Sequence, residues 1–275
     1  MDVPSAVLGI VLFETAFGGL AVLVVAPTWG AVRRGYEVLL GGTLGLMALG
    51  AWAAMRDPLA SIDAASLAVA PDAIALTLAL FAGASLVGAA AVLVGARLAG
   101  RVLMGAAVAG GLVLLWQLGI LRGGGGLDAA VAALELALGA FFLGAVWVGL
   151  VLGHWYLTER RLSNRYMVWT SWVTVAAVVA GAVSVALSAA NQAPCVGLTG
   201  DQALVCRLSY SPILSLGSFT IYMGLGLVAL VALIAGLNVK LAREGGRSIQ
   251  AATGMYYLAV ILAPAAEFAA KVRFF

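Results

Sequence analysis

The chain has 275 residues, 64% of them hydrophobic, with only 15 basic and 12 acidic side chains. Soluble domains average about 45–50% apolar residues, so a soluble enzyme, a nucleic-acid-binding domain and a disordered chain are excluded. With one histidine, His154, and two cysteines, Cys195 and Cys206, a bis-histidine haem, an iron–sulfur cluster and a zinc site all lack ligands, and no metal is expected in this chain.

A transmembrane helix needs about 20 apolar residues, and the sequence predicts eight, over 4–27, 35–55, 72–96, 102–121, 128–154, 166–189, 212–240 and 249–270. The expected fold class is an all-α integral membrane protein, a single polytopic domain over 1–275. The first span is not a signal peptide, because it lacks a basic start and carries Glu14 within its apolar run.

The loops after the first, third, fifth and seventh spans hold Arg33, Arg34, Arg97, Arg101, Arg160, Arg161, Arg165, Lys240, Arg243 and Arg247. The opposite loops and termini hold only Arg56, Arg122, Arg207, Lys271 and Arg273, together with every aspartate. The positive-inside rule puts the first set in the cytoplasm and both termini outside. Cys195 and Cys206 then share an external loop, where a disulfide can form in an oxidising compartment; two independent thiols are the alternative. The Gly123–Gly126 run is an external turn, without the strand and helix context of a phosphate-binding loop. Most of the 35 glycines are expected to let helix backbones approach closely in lipid.

Glu14-Thr-Ala-Phe-Gly18-Gly19 in the first span echoes Glu135-Leu-Ala-Leu-Gly139-Ala140 in the fifth. Both spans start outside, so a duplication would give two parallel four-helix units, 1–121 and 128–275. Ionisable residues in the hydrocarbon region are functional candidates by default. Glu14 is the most deeply placed, Glu135 lies about two turns below the outer surface, and Glu267 and Gln117 lie towards outer helix ends. Glu267 and Lys271 have the i, i+4 spacing of an acid–base pair, read as a solvated pair at the membrane surface in preference to a substrate contact. His154, beside Trp155 and Tyr156, reads as an interfacial anchor.

Three segments resemble a known family. Glu14-Thr-Ala-Phe-Gly18-Gly19-Leu20, the turn Met55-Arg56-Asp57-Pro58-Leu59-Ala60 and the ending Glu267-Phe-Ala-Ala-Lys271-Val-Arg273-Phe274-Phe275 are similar to motifs of the membrane anchor subunits of DMSO-reductase and polysulfide-reductase type (the NrfD/DmsC group). Two departures stand out: Ala54 replaces the histidine expected four residues before Pro58, and Lys271 stands where arginine is usual. The resemblance implies a bacterial-type inner membrane and a quinone, menaquinone or ubiquinone, bound near the outer face. It also implies iron–sulfur and catalytic redox subunits as partners. Glu14, Asp72, Glu135 and Glu267 would be the proton acceptors, with Asp72 assigned by position in the family. Gln117, Trp116, Arg56 and Lys271 would surround the quinone.

The leading expectation is therefore the quinone-interacting anchor of a respiratory oxidoreductase complex. A proton-coupled small-molecule transporter and a non-catalytic structural subunit are the alternatives.

Overall fold

The computed structural model describes residues 3–62, 69–159, 161–188 and 219–272. Among these described residues there are eight α-helices: α1 (Val3–Val25), α2 (Arg34–Ala60), α3 (Pro71–Leu93), α4 (Arg97–Gly123), α5 (Gly126–Thr158), α6 (Arg165–Leu187), α7 (Phe219–Glu244) and α8 (Ser248–Lys271). All eight are long and apolar enough to cross a membrane, and no strand occurs among the described residues. The multi-pass, all-helical reading holds. Cys195 and Cys206, and with them the disulfide, lie outside the described residues.

α2, α4, α5 and α8 overrun the predicted spans at both ends, because composition marks where hydrocarbon ends, not where backbone hydrogen bonding ends, whereas α1, α3 and α6 stop short of their predicted C-terminal ends. α4 begins at Arg97 and α5 runs to Thr158, so charged residues assigned to loops continue the helices. The glycine run is a tight reversal. Gly124 closes α4 with φ 71°, its N–H reaching the Ile120 carbonyl, and Gly125 and Gly126 follow with φ 150° and 63°. Three successive residues in that region require glycine.

α1 and α5 are the most buried spans. α1 packs against α2, α4, α5 and α8, while α5 packs against α1, α4, α6 and α8; α3 sits between α2 and α4, and α7 between α6 and α8. Close approach of the central pair depends on small residues. A Cβ on Gly18 would lie 1.7 Å from the Ala140 carbonyl oxygen, and one on Gly144 would lie 2.1 Å from the carbonyl carbon of Gly18. In lipid, such contact supplies packing where no hydrophobic force draws helices together. Large side chains such as Leu46, Leu80, Val102, Leu112, Val179, Leu233 and Ile261 are exposed on the peripheral helices, as a lipid-facing surface requires.

At the end of the bundle carrying the α1–α2 and α3–α4 connections, called here the loop end, buried Glu37 takes the Gly30 N–H at 2.7 Å. Its other oxygen lies 3.0 Å from Arg97 Nε. Arg97 also donates to the Val32 carbonyl, and Arg101 to that of Val24. These contacts tie the first and third connections together.

Candidate functional site

α1, α5, α6 and α8 converge on a cluster of ionisable groups within the apolar interior. Glu14 lies eleven residues into α1, about 16 Å along the axis at 1.5 Å per residue, and its side chain is fully buried. Glu135 comes from α5, Glu267 and Lys271 from successive turns of α8, and Ser184 from α6; all are buried. Lys271 Nζ stands 3.1 Å from Glu135 Oε1, 3.1 Å from Glu267 Oε2 and 3.4 Å from Glu14 Oε1.

The hydrogen-bond arithmetic is unequal. Lys271 donates to Glu135 Oε1 at 3.1 Å and to Ser184 Oγ at 3.2 Å. Ser184 has one hydrogen of its own for either the Glu135 backbone carbonyl at 3.0 Å or Glu267 Oε2 at 3.2 Å. Neither oxygen of Glu14 accepts a hydrogen bond, and Glu267 Oε1 has no donor. Glu14 is thus held by charge alone.

Gly139 makes room for this arrangement, since a Cβ there would lie 2.7 Å from Glu267 Oε2 and 2.9 Å from Glu14 Oε1. Glu14 and Glu135, which occupy equal places in the two echoing segments, thus belong to one site.

Lys271 stands against three carboxyls at once. Unpaired charge in a low-dielectric interior costs several kcal/mol per ion, so protons on the carboxyls relieve whatever negative charge is left unbalanced. Chemically, carboxyls gathered around a fixed internal cation can take up and release protons.

The structure joins four of the sequence candidates, Glu14, Glu135, Glu267 and Lys271. It corrects the reading of Glu267–Lys271 as a solvated surface pair: the i, i+4 geometry is present, but both side chains are fully buried. Helix-face spacing shows that two residues meet and says nothing of what covers them; α1 and α5 do the covering.

The remaining candidates lie on other surfaces. Asp72 is exposed in the first turn of α3. Arg56 is exposed, 3.3 Å from Asp57 and stacked over Trp52. Trp116 is 48% exposed, and Gln117 is half-buried with its Oε1 unpartnered. His154 is exposed, 3.2 Å from the Tyr257 hydroxyl, in keeping with an anchor. Among the described residues, no three His, Cys, Asp or Glu side chains are arranged to hold a metal ion.

Sequence reasoning missed Ser184 and the spatial role of Gly139. Ser184 was legible only as a hydroxyl within an apolar span, a weak signal because serines often bond to their own helix. No protein-family model, curated protein or solved structure matches the chain.

Proposed function

We propose that this chain is a proton-coupled membrane transporter, with Glu14, Glu135, Glu267 and Lys271 as its proton-binding centre. The observation that carries the reading is the enclosed seat of the cluster, where the paired central helices α1 and α5 meet α8. Helices α1–α4 and α5–α8 form two parallel four-helix halves in this reading. In repeat-built transporters, coupling-ion sites lie between the halves, and rocking of one half against the other alternates access. Both termini are external and the arginine-rich loops cytoplasmic, as the charge bias indicates.

Glu14 is the proton carrier, because it is the carboxyl without a hydrogen-bond donor. Lys271 is the fixed counter-charge, Glu135 and Glu267 hold it in place, and Ser184 accepts a hydrogen bond from it. Protonation of Glu14 weakens its attraction to Lys271, and that change in attraction between α1 and α8 is what coupling requires.

The respiratory-anchor reading uses the same carboxyls but needs a quinone ring against them, whereas the cluster is shut in by helices on every side described. The two readings separate by experiment. Infrared spectra of the intact protein in nanodiscs should show a carboxylic-acid band that varies with bulk pH and loses intensity in Glu14→Gln. A band unaffected by pH and by Glu14→Gln would refute the proposal. Stoichiometric quinone retained by the wild type and lost in that variant would replace it with the anchor.

A further inference from the structure

A second buried polar group lies along α6, α7 and α8, away from the carboxyl cluster. The Tyr256 hydroxyl is 2.9 Å from Thr174 Oγ1, and Ser171 and Asn238 also face it. Thr174 donates to the Thr170 carbonyl and Ser171 to that of Met167, so Tyr256 supplies the hydrogen to Thr174 and its oxygen stays open to a donor. Asn238 is fully buried, yet neither its amide nitrogen nor its oxygen has a partner, and the Thr170 hydroxyl also lacks one. A Cβ on Gly149 would lie 2.1 Å from the Tyr256 ring, so α5 must be bare at this level to admit it.

The unmet groups define their ligand. Asn238 offers two donors and an acceptor, Thr170 one of each, and Tyr256 an acceptor. A cation would serve the oxygens and leave the amide hydrogens unmet, and an anion would do the reverse. Water donates and accepts, and buried water typically makes about three hydrogen bonds to groups otherwise unsatisfied.

The position of the group gives that water a task. Thr174 is ten residues before Ser184 on α6, about 15 Å along the axis towards the loop end. Between them the path is apolar: buried Ala177 is followed by Gly181, over which the Phe142 ring is packed. Beyond Tyr256, less than two turns back along α8, Ile249 and Gln250 line a cavity of about 920 Å³ with Tyr156, Asn164 and Arg247.

Resting on the transporter reading, we propose that Tyr256, Asn238 and Thr170 enclose bound water that relays protons between the carboxyl cluster and the loop-end cavity. A proton enters this water from the cavity, and an equivalent proton leaves towards Glu14 when the Phe142 barrier is hydrated; no other species is consumed.

Radiolytic hydroxyl footprinting of the intact protein tests the water directly, because radicals form where water is bound. Tyr256 should be modified at least about fivefold faster than Phe13, which is equally buried in apolar surroundings. Equal rates would overturn the proposal. Asn238→Leu should fold, since an unpaired buried polar group is being replaced by an apolar one of similar shape. It should lower Tyr256 labelling and slow the pH response of the carboxylic-acid band at least about fivefold. Lowered labelling with an unchanged band response would overturn the relay. A wild-type band that never responds to pH would refute the transporter reading, while footprinting would still decide whether water is present. Should Asn238→Leu fail to fold, the wild-type footprint decides alone.

Discussion

Replacing Lys271 with methionine removes the ammonium that touches Glu14, Glu135 and Glu267 and keeps most of the side-chain volume. Its ammonium lies 3.1 Å from two of these carboxyls and 3.4 Å from the third. At an effective dielectric constant of about 20, one ion pair at that distance is worth about 5 kcal/mol before desolvation. Deleting one partner of a buried pair costs about 3–5 kcal/mol. At about 2–4 °C per kcal/mol for a chain of this size class, Lys271→Met should lower the melting temperature by about 6–20 °C. The assay is a thermal melt of the purified protein in detergent, followed by tryptophan fluorescence. The double variant Lys271→Met/Glu135→Gln should recover part of the loss, because it also removes a carboxylate left without its cation. A single variant melting within about 2 °C of the wild type, or strictly additive losses in the double variant, would refute the ion-paired cluster.

Further outcomes test the surroundings of the site. Gly139→Val should disrupt the cluster and lower stability by about 1–3 kcal/mol through overpacking, read as a lower melt together with an altered carboxylic-acid band. Gly144→Ile should separate α1 from α5 and reduce the yield of folded protein in fluorescence-detected size exclusion, since even a Cβ would sit 2.1 Å from backbone. Arg97→Ala leaves the buried Glu37 without its half-exposed cation and should cost about 1–3 kcal/mol in the same melt. Asp72→Asn, on an exposed face, should change stability by less than about 0.5 kcal/mol.

The fold was legible because the membrane imposes one strong rule, that every backbone group be satisfied within its own segment. Length and apolarity alone then yielded the eight helices. What the sequence did not show is which helices stand in the middle. Amphipathic patterning, which ranks burial in soluble bundles, is weak here, since a span can be apolar on the lipid side and the protein side alike. The signal that distinguishes α1 and α5 is instead where glycines fall relative to a facing backbone, and Gly18 against Ala140 is visible only once the two helices are placed together.

The site was half legible for a related reason. A carboxyl inside an apolar span is conspicuous, and Glu14 and Glu135 stood out on that ground. Lys271 was legible only as the i, i+4 partner of Glu267 and, through the resemblance, as a neighbour of a quinone, because basic residues at helix ends are what interfacial anchoring produces. The difference between an anchor and a buried counter-ion lies in neighbouring helices: α1 and α5 bring two carboxyls to the level of the last turn of α8, and Ser184 adds a hydroxyl from α6. Asp72 shows the converse. Its type and its place in the family pattern resemble those of a site residue, yet no neighbouring helix covers it, and it remains exposed. Apolar replacement of a buried ion pair is often neutral or stabilising, so packing alone does not call for three carboxyls around one lysine. Their enclosure at the α1–α5 crossing is therefore better explained by proton binding than by stability. That explanation requires the quadruple variant Glu14→Leu/Glu135→Leu/Glu267→Leu/Lys271→Met to fold while losing the pH-dependent carboxylic-acid band.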